Sequence, residues 1–194
     1  VMADLLITGA TLADGLMDSA DGLFSGRTKE RSLAIMKDSL TGAFGVLSIL
    51  IFILLKTFSL ASIDSDMYLL LFAMPTIGRL NLVISICEYP YARPKKKKKA
   101  YARPYGLGKA FAVYRSEYAV PFAFMITILP ALYFGWRYLA LVGGGLFVGL
   151  CLNRCIIKKI GGTTGDTYGF VTEITEACIA LLFVFLLKGS TWHI

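Results

Sequence analysis

Five apolar stretches restrict the folds that this chain can adopt. They cover residues 41–60, 67–88, 118–135, 138–153 and 167–187, and a helix needs roughly 20 apolar residues to cross the hydrocarbon core of a bilayer. Hydrophobic residues make up 56% of the 194 residues and charged residues only 17%, which is too apolar for a soluble domain. Because backbone polar groups inside a bilayer must be satisfied within the segment, each stretch is predicted to be a helix. The predicted fold is an all-α, polytopic membrane bundle.

A sixth helix is predicted from Met2 to Phe24, which gives about six membrane helices in a single domain over residues 1–194. This segment has neither a charged n-region nor a small-residue cleavage site, so we do not interpret it as a signal peptide.

The charges between the stretches predict an orientation. The first, third and fifth loops are basic, whereas the second, with Asp64 and Asp66, is acidic. Since cytoplasmic loops carry an excess of Lys and Arg, the odd-numbered loops are predicted to be cytoplasmic. Lys56 and Arg137 lie near the outer ends of the apolar stretches, away from the predicted cytoplasmic side. Both are expected to snorkel to the interface.

Residues 95–104 form a lysine-rich segment with the character of an insert. The tetrapeptide Tyr-Ala-Arg-Pro occurs at 91–94 and again at 101–104, on either side of five lysines. Without the five Lys and one Arg of this segment, the net charge of +7 falls to +1. A solvated loop is the simplest interpretation, and attraction to anionic lipid is the functional alternative. Nucleic-acid binding is not predicted, because no aromatic platform or recognition motif accompanies the lysines.

Two acidic clusters interrupt the apolar pattern. On α-helices, the three aspartates of the first cluster span an arc of about 60°, and the aspartate and two glutamates of the second span about 80°. Carboxylates on one face of an apolar helix repel each other and lose hydration, so a cation or protonation must offset the cost. Mg²⁺, a hard cation, is the natural counter-ion. Since both clusters approach the predicted cytoplasmic side, they are predicted to share one site. Its catalytic and metal-binding candidates are Asp14, Asp18, Asp21, Asp166, Glu173 and Glu176.

Basic residues near these clusters are candidates for binding phosphate. Arg79 interrupts an apolar stretch, and an intramembrane arginine is a functional candidate by default. A structural ion pair with one of the clustered carboxylates is an equal alternative for Arg79. Arg27, Lys37 and Lys109 are further phosphate candidates, although each taken singly also fits a positive-inside surface charge.

Four motifs follow one another along the chain: ADGLMDSADGLFSGR at 13–27, IMKDSLTGAFG at 35–45, YPYARP at 89–94 with a Gly-Leu-Gly at 106–108, and GGTTGD at 161–166 followed by two glutamates. In this order and spacing they resemble cobalamin synthase, the adenosylcobinamide-GDP ribazoletransferase family. The chain departs from the family at Leu12, where a His is usual, and in its lysine-rich insert.

The resemblance implies the last assembly stage of cobalamin. There the hydroxyl of α-ribazole, or of its 5′-phosphate, displaces GMP from adenosylcobinamide-GDP at the inner membrane, with the active site toward the cytoplasm. The implied cofactor is Mg²⁺, held by the four aspartates, with Glu173 and Glu176 as further ligands or as the base. The residues expected to bind substrate are Arg27, Lys37, Asp38, Arg79, Arg93 and Lys109. The implied partners are a corrinoid nucleotide, α-ribazole and membrane lipid. A homo-oligomer, or association with other cobalamin-assembly enzymes, stays open.

Two alternatives compete with the transferase. Carboxylates facing a bundle interior also fit a cation or proton transporter, although a transporter site is expected near the midplane of broken helices. An inactive, truncated relative of the transferases is the other alternative.

Overall fold

The computed structural model of the protein describes residues 1–63, 66–92 and 107–188. Arg93 and the lysine-rich insert 95–104 lie outside the described residues. The described part contains ten α-helices, and its β-structure is limited to one isolated bridge between Tyr91 and Thr163. The helices are α1 (Met2–Ile7), α2 (Thr11–Phe24), α3 (Lys29–Ile35), α4 (Ala43–Ala61), α5 (Met67–Cys87), α6 (Leu107–Val113), α7 (Ala119–Ile128), α8 (Ala131–Phe134), α9 (Trp136–Ile160) and α10 (Gly165–Lys188).

The predicted all-α membrane bundle is confirmed. Four helices, α4, α5, α9 and α10, are long and apolar enough to cross a membrane. The predicted stretch 118–135 corresponds to the shorter apolar pair α7 and α8, which divides at Pro130. Leu129, the residue before this proline, keeps a helical conformation with φ of −50° and ψ of −41°, and Pro130 occupies the N-cap position of α8.

The prediction of one continuous helix from Met2 to Phe24 is wrong. The chain breaks between α1 and α2, where Gly9 and Ala10 both have a φ of +57°. Glycine enters this left-handed region at little cost, and Ala10 follows it at some steric expense. The hydroxyl of Thr8 donates to the carbonyl of Asp4 at 2.9 Å and closes the last turn of α1.

Helix α10 is the centre of the bundle and packs against α2, α4, α5 and α9. Polar side chains join three of these helices: the Asn81 amide of α5 donates to the Gly145 carbonyl of α9 at 2.7 Å and to the Thr175 hydroxyl of α10 at 3.1 Å. One turn along, the Ser85 hydroxyl donates to the side-chain oxygen of Asn153 at 3.0 Å. Interhelical hydrogen bonds of this kind fix the register of helices in an apolar medium.

The loop that precedes α10 is held by the chain segment that follows α5. The Thr163 N–H donates to the Pro90 carbonyl at 2.8 Å, and the Ala92 N–H donates to the Thr163 carbonyl at 2.8 Å. The ends of α5 and α9 therefore meet the start of α10 at one end of the bundle.

Candidate functional site

Helices α2 and α10 cross with their backbones in direct contact. A Cβ atom at Gly15 would lie 2.7 Å from the carbonyl oxygen of Asp166, and one at Gly169 would lie 2.5 Å from the carbonyl oxygen of Leu12. Two glycines thus allow an approach that side chains would block. We call this contact the crossing. It brings Asp166 beside the turn of α2 that begins at Asp14, so the two acidic motifs meet here, as predicted.

The aspartates at the crossing differ in burial. Asp14 is exposed, and Asp18 and Asp166 are half-buried. A third element joins them, because the Cα of Gly108 in α6 would lie 3.2 Å from a Cβ at Gly165. This contact places Lys109, the next residue of α6, at the start of α10.

Asp21, a predicted metal ligand, caps a neighbouring helix. Its two carboxylate oxygens accept the N–H groups of Gly42 at 2.7 Å and Gly45 at 2.8 Å, and the residue is 8% exposed. The N-cap position of α4 is Gly42, which has no side chain to accept these bonds, so the aspartate of α2 satisfies them. The cap ties α2 to the start of α4.

Asp21→Ala is expected to lower the free energy of unfolding by about 2 kcal/mol, because it leaves buried N–H groups without an acceptor. Asp21→Asn keeps one acceptor oxygen and is expected to lose less. Thermal unfolding of the detergent-purified variants checks the order. Asp38→Ala is the control, since Asp38 is exposed and its carboxylate accepts the N–H of Leu40 two residues on; an equal loss in this control would argue against the capping role.

Glu173 and Glu176 belong to a buried group of charges deeper in the bundle. The Lys56 Nζ lies 3.1 Å from an oxygen of Asp4 and 3.3 Å from an oxygen of Glu173, and it also pairs with Glu176. Arg79 pairs with Glu176 and, at 3.4 Å, with Asp4. We call these five residues the ion cluster. Lys56 is 2% exposed and Glu173 1%, so the expectation that Lys56 snorkels to the interface is wrong. For Arg79, the geometry matches the alternative of a structural ion pair.

The six predicted carboxylates are not brought together in one place. In the part of the chain that the structure describes, one group of three or more acidic side chains has oxygens within 4.8 Å of one another, and it consists of Asp4, Glu173 and Glu176. Positions seven and ten residues apart on a helix share a face but differ by roughly 10 to 15 Å along its axis. The prediction of one shared site is therefore corrected to three locations: the α4 cap, the crossing and the ion cluster.

The residues predicted to bind substrate also lie in different parts of the bundle. Arg27, Lys37 and Asp38 are exposed in the segment between α2 and α4. This segment reaches the loop before α10, since the Lys29 Nζ would lie 2.5 Å from a Cβ at Gly161. Arg79, by contrast, lies in the ion cluster. Substrate binding by these residues stays a prediction.

Asp4 and Lys56 were missed as site residues by the sequence analysis. Lys56 gave an ambiguous signal, because a lysine in an apolar stretch needs either a buried partner or a path for its ammonium group to the interface. Asp4 gave none that distinguishes it from an ordinary helix-start aspartate. A cleft of about 100 Å³ borders the cluster between α1, α4 and α5, which is far smaller than a nucleotide-sized pocket.

The fold and these polar groups define a class: a polytopic helical membrane protein whose central helix carries acidic residues at two depths. Comparison with known protein families identifies the chain more specifically. A family model described as cobalamin-5-phosphate synthase matches residues 1–184. The chain belongs to this family, which confirms the resemblance of the motifs.

Several curated relatives carry the name adenosylcobinamide-GDP ribazoletransferase. The protein of Desulforamulus reducens is 38% identical over 182 residues, covering 93% of this chain and 69% of the relative. Those of Brevibacillus brevis and Desulfitobacterium hafniense are 33% and 36% identical, covering 99% and 92% of this chain and 74% and 69% of the relatives. No solved structure matches the chain. Membership of a synthase family argues against the transporter alternative.

Proposed function

We propose that this chain transfers the cobinamide-phosphate group of adenosylcobinamide-GDP to α-ribazole or α-ribazole 5′-phosphate and releases GMP. The family match over residues 1–184 and the printed name of the relatives support the reaction. The observation that carries its location is the crossing, where the backbone of Asp166 touches Gly15 of the first acidic motif.

The reaction is a displacement at phosphorus. A ribazole hydroxyl oxygen forms a bond to the phosphorus that bears the cobinamide, and the bond from that phosphorus to the bridging oxygen of GMP breaks. GMP leaves with the electron pair, and the hydroxyl proton needs a base. Asp14 suits this task, because it is the exposed aspartate of the crossing, whereas Glu173 and Glu176 are buried in ion pairs.

Mg²⁺ is proposed as the cofactor at the crossing. Asp14, Asp18 and Asp166 come from two helices in backbone contact, and carboxylate oxygens are the ligands that this hard cation prefers. A bound Mg²⁺ would neutralise charge on the diphosphate oxygens. Arg27, Lys37 and Lys109, from the segments that reach the start of α10, are proposed to contact the phosphates.

The active site is proposed to face the cytoplasm. The end of the bundle at which α10 begins also carries the basic segment 27–37 and the last turn of α9 with Lys158 and Lys159. An excess of Lys and Arg is typical of the cytoplasmic side.

GMP release by the detergent-purified protein, supplied with adenosylcobinamide-GDP and α-ribazole, tests the proposal. We expect release in Mg²⁺, loss in EDTA and recovery when Mg²⁺ is restored in excess, with one corrinoid product formed for each GMP. Equal release in EDTA would contradict the metal site. An absence of release from folded protein in every condition would contradict the transferase function for this chain.

A further inference from the structure

In the ion cluster, the ammonium group of Lys56 lies among three carboxylates that are close enough to one another to bind a metal ion. Three carboxylates, from Asp4, Glu173 and Glu176, surround the Lys56 Nζ. A divalent cation bound by the same oxygens would lie within a few ångströms of this ammonium, and the two like charges would repel strongly in a medium of low dielectric constant. Lys56 and a metal ion therefore exclude each other at this position.

Residues next to the ion cluster accommodate both the Lys56 ammonium group and the Glu176 side chain. The ring of Phe52, one turn earlier on α4, has its centroid 4.4 Å from the Lys56 Nζ, a contact that stabilises a buried cation. Gly78 of α5 leaves room for Glu176, whose Cγ would lie 2.9 Å from a Cβ at that position. Four helices thus contribute to holding the ion pairs, since Asp4 belongs to α1, Lys56 to α4, Arg79 to α5 and the glutamates to α10.

We infer that Lys56 is the internal counter-ion of Glu173 and Glu176 and acts as a positioning residue. It fixes α10 against α1 and α4. It thereby also fixes the position of α10 along its axis, and so the point at which Asp166 contacts α2. Glu173 and Glu176 are then positioning residues as well, and neither is a metal ligand or a base. The consequence for catalysis rests on the proposed function, whereas the pairing itself can be tested without any activity.

The thermal test is a charge-matched cycle of variants. Lys56→Met leaves three carboxylates, two of them buried, with Arg79 as the remaining cation of the cluster. Loss of one partner of a buried ion pair is expected to lower the apparent Tm by about 10 °C. Lys56→Met combined with Glu173→Gln restores the original net charge of the cluster and is expected to recover at least half of that loss. Lys56→Arg, which keeps the charge, is expected to stay close to the parent.

A double variant that is as unstable as the sum of its single variants would overturn the inference. If Lys56→Met cannot be purified, recovery of soluble, monodisperse protein in the double variant is the supporting result, and failure of both is the opposing one.

The second test separates positioning from metal binding. In Glu173→Gln we expect kcat for GMP release to fall, while the Mg²⁺ concentration for half-maximal activity stays within about twofold of the parent. An increase of tenfold or more in that concentration would make Glu173 a ligand and overturn the inference. If the parent releases no GMP, the proposed function fails, and the thermal cycle alone still decides the role of Lys56.

Discussion

Asp14→Asn and Asp166→Asn are each expected to lower the rate of GMP release by about 10²-fold or more while leaving the helical fold intact. The reason is that each removes a carboxylate ligand of the proposed Mg²⁺, the ion that would neutralise charge on the diphosphate. Loss of one group that stabilises transition-state charge typically costs 10² to 10³ in kcat. Since the amide has nearly the same shape, the packing of α2 on α10 is not disturbed.

Asp66→Asn is the matched control for these two variants. Asp66 pairs with Arg137 at 3.0 Å at the opposite end of the bundle, and its loss is expected to change GMP release by less than twofold. Initial rates at saturating substrate, with circular dichroism to check helix content, make the comparison. Full activity in Asp14→Asn or Asp166→Asn would move the active site away from the crossing.

The membrane helices could be predicted because their signal is local. Length and apolar composition identify each stretch, and no tertiary information is needed. The one large error in extent concerns α9, predicted at 138–153 but running from Trp136 to Ile160. Its last two turns carry Arg154, Lys158 and Lys159, so the helix continues after its apolar pattern has ended.

The site could be predicted only in part, because helical periodicity gives the angle of a residue about the axis and not its partners. The two acidic clusters were expected on one side of the bundle from the predicted topology, and the close approach of Gly15 to Asp166 agrees with this expectation. The capping of α4 by Asp21 depends on its contacts with Gly42 and Gly45, which lie 21 and 24 positions later in the sequence. No local sequence pattern predicts such a contact.

The ion cluster could not be predicted either, because its contacts join residues that are far apart in the sequence. Lys56 is separated from Asp4 by 52 residues and from Glu176 by 120. A lysine inside an apolar stretch is compatible with snorkelling or with a buried partner, and the choice depends on which helix lies beside it. Only the packing of α4 on α1 and α10 decides it.

Gly169→Ala is expected to separate α2 from α10, with a lower Tm and at least about a tenfold loss of GMP release. The added Cβ would lie 2.5 Å from the Leu12 carbonyl oxygen and 3.2 Å from the Cα of Gly15. Both neighbours are backbone atoms that no rotamer change can move, so one helix must shift. Overpacking of this kind costs about 1–3 kcal/mol, which corresponds to a Tm lower by very roughly 5 °C in a chain of this size. A displacement of about 1 Å can cost 10²-fold in rate.

Gly143→Ala makes the same chemical change where there is space. Gly143 lies within α9, and a Cβ there would meet no atom within 4 Å. Replacing a helical glycine by alanine at an unstrained position is expected to stabilise by about 0.4–1 kcal/mol, so Tm should stay level or rise and GMP release should be unchanged. Because the two variants share composition and helix propensity, the difference between them reports the backbone contact at the crossing. Equal Tm and equal activity in the two would show that α2 and α10 need not touch for the protein to fold or act.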